Sequence, residues 1–257
     1  MKIALITGGQ PRFTPDFPKM MSSIQGFDSA DIYMALWNTD WARTAEQARQ
    51  KIEKILPENY KLEEVSIVEE PECDYPTHSV TIEPPREQNV AWWYIRQYRQ
   101  WASLALAHQL VKKDYDLLIR FRLDGSPDSI INLKELDLSF NGIILPKGPL
   151  SGIEGNRSND QFAIGGKDAM SLYLNLEREF KELVELSDPN WANDGVNLDL
   201  SGGVWRWGNE QLLCALIRKY QIPIKYGDFT MSINSFGRSR YTDKHYHHRV
   251  VSDPTEK

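Results

Sequence analysis

YDLLIRFRLDG, residues Tyr115 to Gly125, runs from an apolar core into charge and stops on a glycine. Side chains alternate faces along a strand. Leu117, Ile119, Phe121 and Leu123 therefore share one face, and Leu118, Arg120, Arg122 and Asp124 the other. The pattern predicts a buried strand over Tyr115–Leu123 whose carboxyl end carries two arginines and an aspartate in a row. Ligands of open α/β sheets bind beyond the carboxyl ends of the strands. An arginine there takes phosphate oxygens in bidentate fashion, and a carboxylate can hold a divalent cation that bridges two phosphates. Asp-Gly is equally a turn signal, so a hairpin closed by Asp124-Gly125 is the competing reading.

Outward from this stretch the first half alternates. Ile3–Thr7 reads as a strand, followed by the Gly/Pro loop GGQPRFTPDFP and a short helix around Lys19–Ile24. Asp31–Trp37 is a second strand. Ala42–Leu56 is a helix with few β-branched residues, no glycine, and Pro57 just past its end. KLEEVSIV is a third strand, and a proline-rich loop then leads to a long helix, NVAWWYIRQYRQWASLALAHQLVKK. Strands separated by helices of this length imply right-handed βαβ units and an α/β fold with a mainly parallel central sheet, Rossmann-like, with Ile3–Thr7 and Leu117–Leu123 at its centre. The second half is less regular: short strands NGIILP and DQFAIGG, one helix KDAMSLYLNLEREFKELVEL, a polar Gly/Trp-rich segment, a helix NEQLLCALIRKY and a last strand IPIKYGDF. We expect one domain over residues 1–237, its halves meeting near 126, and a basic, His-rich tail from 238 to 257.

The chain has 257 residues and a net charge of −6, which argues against a duplex nucleic-acid partner. The apolar run Ile3–Ile6 is too short for a signal peptide, and no stretch approaches the roughly 20 apolar residues of a membrane span. Cys73 and Cys214 are far apart and form no CxxC, so they read as free thiols of a reducing compartment, the cytoplasm. The sequence does not define the oligomeric state.

Other constellations carry two readings each. Gly8-Gly9-Gln10-Pro11-Arg12, following Thr7, is a tight turn, or a loop whose backbone approaches a nucleotide with Arg12 near the phosphates; it is neither a P-loop nor GxGxxG. Asn159-Asp160-Gln161 forms a turn or offers directional hydrogen bonds to sugar hydroxyls. Glu210 suits the positive end of its own helix, or serves as a general base, with Asp194 and Asp199 as rivals. Trp191, Trp205 and Trp207 are core or stack on sugar rings, and Trp92, Trp93 and Tyr94 read as core. His245, His247 and His248, with Arg238, Arg240 and Lys244, form a loose tail or contribute metal and phosphate ligands.

Four segments, in order and spacing, resemble a group of GT-A glycosyltransferases that includes bacterial polysaccharide-synthesis enzymes and viral enzymes, WavE-like proteins among them. YDLLIRFRLDG resembles their YD-hydrophobic-hydrophobic-(R/K)-x-R-x-D segment, and IALITGGQPR their opening strand with its G-Q-x-R turn. NDQFAIGGKDAM resembles their DQF block, and NEQLLCALIRKYQIPI their late helix and strand. The resemblance spans roughly residues 1–226. It implies a nucleoside-diphosphate sugar donor bound by the first half, a glycan acceptor bound by the second, and Mn2+ or Mg2+. It places Thr7, Gly8, Gly9, Gln10, Arg12, Arg120, Arg122 and Asp124 on the donor, and Asn159, Gln161, Trp205 and Trp207 on the acceptor. Asp124, with His245 and His247, would hold the metal, and Glu210, Asp194 or Asp160 would act in catalysis. Arg122 stands where the first acid of the family's Asp-x-Asp signature is expected. One carboxylate holds a cation less firmly than two, and Arg122 supplies positive charge of its own. A nucleotidyltransferase, or a carbohydrate-binding protein that kept the fold without catalysis, are the alternatives.

Overall fold

The computed structural model describes residues 1–13, 17–73, 86–137, 139–147, 160–186 and 209–233, with the backbone alone at 86–94, 184–186, 209–211 and 232–233. Strand β1 (Ile3–Gly9) is followed by helix α1 (Phe17–Ser22), a two-residue strand β2 (Ile24–Gln25) and β3 (Ala30–Trp37). Helix α2 (Ala45–Glu53) and β4 (Tyr60–Val68) come next. The long helix α3 (Arg86–Gln109) returns the chain to β5 (Leu117–Arg120). The three parallel pairings β4·β3, β3·β1 and β1·β5 make the expected doubly wound half, with β1 and β5 side by side.

The second half adds to the same sheet. Short strands β6 (Gly125–Pro127) and β7 (Ile131–Asn132) precede β8 (Ile143–Lys147) and β9 (Ala163–Gly165). Helices α4 (Lys167–Leu174), α5 (Phe180–Leu186) and α6 (Asn209–Tyr220) lead to β10 (Ile224–Ile233). Among the described residues eight strands form one sheet in the order β4-β3-β1-β5-β9-β8-β10-β6. β9 runs antiparallel to both β5 and β8, and β6 antiparallel to β10, so the sheet is mostly rather than wholly parallel. Among the described residues no helix is long and apolar enough to cross a membrane, and neither Cys73 nor Cys214 forms a disulfide.

The period-two pattern separates two cores. Ile3, Leu5, Ile32, Met34, Leu117 and Ile119 face one side, under Phe17 and Met20 of α1 and Ile52 of α2. Ala4, Ile6, Tyr33, Ala35 and Leu118 face the other, under Trp101 and Leu104 of α3 and the apolar sides of α4 and α6. Phe121 and Leu123 join the first core as the alternation requires, although β5 itself ends at Arg120. The opening Tyr-Asp pair of the quoted stretch is structural. The Tyr115 hydroxyl donates to Asp31 Oδ2 at 2.6 Å, and the Asp116 carboxylate accepts the Lys2 N–H at 2.7 Å. Both tie the amino end of β5 to its neighbours.

Two helices differ from expectation for local reasons. α2 starts at Ala45 rather than Ala42 because Thr44 caps it, its hydroxyl accepting the Gln47 N–H at 3.2 Å. The single helix expected over 167–186 breaks after α4 into a 3-10 turn, Leu176–Glu179, and α5. Asn175 makes the break. Its side-chain Nδ2 donates to the Ser171 carbonyl at 2.7 Å and meets His108 Nδ1 at 2.9 Å. A short amide that bonds nearby backbone competes with continuing a helix.

His108 is half-buried behind this contact, which by itself favours the charged ring. Burial pushes the imidazole below its ordinary range, and the charges of Arg178 and Lys167 act in the same direction. A depressed folded-state value means that the unfolded chain binds the proton more readily. The contribution of His108 to stability is thus fully present above about pH 6.5 and declines as the pH falls below it. His108→Gln is expected to flatten the fall in melting temperature between neutral and mildly acidic pH. An identical pH slope in both proteins would refute this.

Candidate functional site

Order 4-3-1-5 along the sheet means that the chain leaves β1 toward β3 on one side and returns as β5 on the other. The two carboxyl ends diverge there, and a crevice is expected between the segments that follow them. A small cleft of about 90 Å³ lies at that place. Thr7, Gly8, Gly9, Gln10 and Arg12 line it from the β1 side, and Arg120, Arg122 and Asp124 from the β5 side. All eight residues expected at a donor thus meet in one cleft. Its volume is below the roughly 300 Å³ at which pockets hold a whole small molecule.

The end of β1, which runs two residues past the expected Thr7, is shaped by its neighbours. A Cβ at Gly8 would lie 2.3 Å from the Ser103 carbonyl oxygen, so this glycine is required by α3 crossing β1, not by a ligand. Gly9 has φ +113°, where only glycine is comfortable, and turns the chain into the cleft. Arg12 then bends back, its Nε donating to Gln10 Oε1 at 2.8 Å.

On the other side the strand stops earlier than the alternation implies. Arg120 is the last residue of β5, and Arg122 and Asp124 belong to a turn closed by the Gly125 N–H on the Arg122 carbonyl at 3.3 Å. They do not continue the row of Arg120. The turn is not a hairpin back onto β5, because the strand it opens, β6, pairs with β10. Within it Arg122 grips Asp124 with both arms: Nε to Oδ1 at 2.8 Å and Nη2 to Oδ2 at 2.9 Å. Arg12 Nη1 approaches Oδ2 to 3.7 Å. Burial would raise the Asp124 pKa, but the Arg122 hydrogen bonds and the charges of Arg122 and Arg12 prevail and hold it below the usual carboxylate range.

Arg120 is only 2% exposed. It sits between Ile6 of β1 and Ala163 of β9, on the face covered by α3. Its Nη2 lies 4.0 Å from Asp160 Oδ2, and its Nε and Nη1 have no hydrogen-bond acceptor among the described residues. Burial lowers its pKa, the direction expected for a cation short of partners. Asp160 is itself buried, and its Oδ2 accepts from Gln100 Nε2 at 2.7 Å. It stands as a counter-charge of Arg120 inside the fold. Gln161 beside it is half-buried.

Helix α3 contributes residues that strand-end reasoning missed. Arg96, Gln100 and Leu104 recur every fourth residue and line the cleft with Trp37 from the end of β3. The i, i+4, i+8 spacing puts all three on one helix face, but Gln97 and Arg99 beside them are just as polar, so the sequence alone did not single out Arg96 and Gln100. Of the remaining candidates, Asn159, Asp194, Asp199, Trp191, Trp205, Trp207, His245 and His247 lie outside the described residues, and Glu210 is described only as backbone in the first turn of α6.

Of the three expected cation ligands only Asp124 lies among the described residues, and Arg122 donates to both of its oxygens. Among the described residues no three His, Cys, Asp or Glu side chains are grouped so that they could hold a metal ion. A larger hollow of about 460 Å³ lies on the flank of α4 and α6, with Asp168, Arg178 and Glu179 in its wall. It has mixed charge and none of the residues of the strand ends, so the smaller cleft is the better candidate.

Fold and cleft together define an α/β protein, with a Rossmann-like first half, that presents clustered guanidinium groups at the switch point of its sheet. No family model and no curated protein sequence matches the chain.

Proposed function

We propose that this chain is a GT-A-type glycosyltransferase that moves a sugar from a nucleoside-diphosphate donor to a glycan hydroxyl. The observation that carries the reading is the buried Arg120, whose Nε and Nη1 have no acceptor among the described residues, at the carboxyl end of β5 beside the Gly8-Gly9 end of β1. A diphosphate supplies the oxygens such a group lacks. The resemblance of four ordered segments to that transferase group supports the same donor.

In the reaction the bond from the sugar's anomeric carbon to the diphosphate oxygen breaks, and the leaving diphosphate keeps the electron pair. Arg120 and its neighbours stabilise the charge that develops there, in a site where fixed donors need not reorganise. The acceptor oxygen forms the new bond, and its proton passes to a carboxylate if configuration inverts. Glu210 and Asp194 are the candidates for that base.

The test is incubation of the full chain with a panel of nucleoside-diphosphate sugars and oligosaccharides, followed by product analysis. Release of free nucleoside diphosphate with glycan extension is expected. Release of pyrophosphate would replace this reading by nucleotidyl transfer. Thermal stabilisation by glycans but by no nucleotide would replace it by a carbohydrate-binding protein. A donor present at a hundredfold its dissociation constant should stabilise the fold by about 2.7 kcal/mol.

A further inference from the structure

We propose, resting on the donor reading above, that Trp37 is the platform on which the base of the nucleoside diphosphate stacks. Trp37 is the last residue of β3 and lines the cleft. Its neighbour Leu36 pairs with Gly9, so Trp37 stands at the carboxyl end of the sheet beside the end of β1. β3 and β5 flank β1 on opposite sides. Two strand spacings, about 10 Å in all, therefore separate the β3 side of the cleft from the β5 side. The β3 side offers an aromatic ring, and the β5 side offers Arg120, Arg122 and Asp124. A nucleoside diphosphate is divided in the same way: a flat base, a ribose as spacer, and an anionic tail.

The indole is fixed before any ligand arrives. Its Nε1 donates to Ser103 Oγ at 2.7 Å, and that hydroxyl donates in turn to the Arg99 carbonyl at 2.7 Å. Ser103 is fully buried within α3. The two bonds occupy the polar edge of the ring and leave a ligand its π-face. A ring already held in place loses little freedom on binding. Trp41 stacks on Phe13, and Trp101 meets Tyr173 edge-on. Trp37 is half-buried, and among the described residues no other aromatic ring covers it. A cleft of about 90 Å³ is too small to enclose a nucleoside. A base must then lie against the wall, and aromatic faces hold bases in that way whichever base it is.

Isothermal titration of the full chain and its variants with inorganic pyrophosphate and with uridine, cytidine, adenosine and guanosine diphosphates, all with Mg2+ present, tests this. The parent should bind at least one nucleoside diphosphate more tightly than pyrophosphate. Trp37→Leu should weaken that nucleoside diphosphate at least about fivefold and leave pyrophosphate unchanged. Trp37→Phe, with a smaller ring, should fall between parent and Trp37→Leu. Unchanged nucleoside diphosphate affinity in Trp37→Leu overturns the inference. Equal losses of both ligands would make Trp37 a packing residue and overturn it as well, as would a Phe variant no better than the Leu variant. A parent that binds pyrophosphate and every nucleoside diphosphate equally overturns the platform and leaves the diphosphate site standing. A parent that binds none of them removes the donor reading with it. Ser103 is a positioning residue here: Ser103→Ala should weaken the nucleoside diphosphate and spare pyrophosphate, and parental affinity for both would overturn that role. Circular dichroism on each variant separates lost binding from lost fold.

Discussion

Replacing Arg120 by methionine together with Asp160 by asparagine should abolish diphosphate binding while leaving the unliganded fold about as stable as the parent. The two halves of this expectation come from one fact. The guanidinium is 2% exposed and, among the described residues, its paired carboxylate oxygen, Asp160 Oδ2, is 4.0 Å away and its Nε and Nη1 have no acceptor. Removing the cation alone would leave the buried Asp160 charge uncompensated, whereas replacing both members of a buried ion pair by uncharged groups of similar volume is often neutral or stabilising by about 1–4 kcal/mol. Methionine fills the same channel between β1 and β9 with an unbranched, adaptable chain. Asparagine keeps an oxygen for Gln100, which donates to Asp160 Oδ2 at 2.7 Å. Binding has no such substitute. Truncating one partner of a desolvated, hydrogen-bonded charge pair costs about 2–5 kcal/mol, so pyrophosphate affinity should fall by roughly a hundredfold or more. Arg120→Lys keeps the charge and loses the fork, and should fall between the two. Calorimetric titration and thermal melts on the same samples read both quantities. Parental affinity in the methionine variant would remove Arg120 from the site. A melting temperature far below the parent's would show that the guanidinium holds the fold together instead.

The sequence reveals this site in part, and the reasons differ from residue to residue. The pairing of β1 with β5 and the sidedness of their cores follow from apolar residues at period two, which burial of both faces enforces over the whole strand. Arg120 interrupts that pattern on the α3 face, and its exception to an otherwise apolar set is the clearest mark of function. Beyond it the alternation stops applying. Arg122 and Asp124 look like further members of a row, yet their mutual ion pair turns the chain before the strand can continue. A pairwise attraction of this kind leaves no periodic trace. Arg96 and Gln100 were hidden by the opposite problem. They sit on a long helix where Gln97 and Arg99 are equally polar, and only the crossing of α3 over Gly8 brings Arg96 and Gln100 to the strand ends. The antiparallel β9 and the short β6 are three residues each, too brief for a pattern, and their places are set by which edges remain unpaired. Asn175 likewise breaks a helix through side-chain bonds to Ser171 and His108, the second of which needs the tertiary fold to exist.

Gly8→Ala should be the most damaging single methyl group that can be added near the cleft, and Gly9→Ala, one residue on, should be damaging for a different reason. At Gly8 the new Cβ would meet the Ser103 carbonyl oxygen at 2.3 Å, its carbon at 2.5 Å and the Leu104 nitrogen at 3.0 Å. These are backbone atoms in the middle of a helix and cannot swing aside as a side chain would. Either α3 lifts from β1 or β1 sinks out of the sheet. Trp101, fully buried and edge-on to Tyr173 with ring centroids 5.4 Å apart, would be displaced with the helix. Overpacking a core costs about 1–3 kcal/mol and sometimes more, and a clash with rigid backbone belongs at the upper end. A loss of about 3 kcal/mol should lower the melting temperature by roughly 10 °C in a chain of this size. At Gly9 nothing stands within 4 Å of the added carbon, and the penalty comes only from φ +113°, on the order of 1–3 kcal/mol. The distinction reaches the cleft. Arg96 and Gln100 ride on α3, so a Gly8→Ala protein that still folds should carry them away from Arg120 and bind pyrophosphate weakly even where it remains native. Gly9→Ala leaves the helix seated and disturbs only the loop bearing Gln10 and Arg12. Thermal melts and pyrophosphate titrations of the two variants should therefore rank Gly8→Ala below Gly9→Ala in both stability and affinity. The reverse order would mean that the loop, and not the helix crossing, sets the geometry of the site.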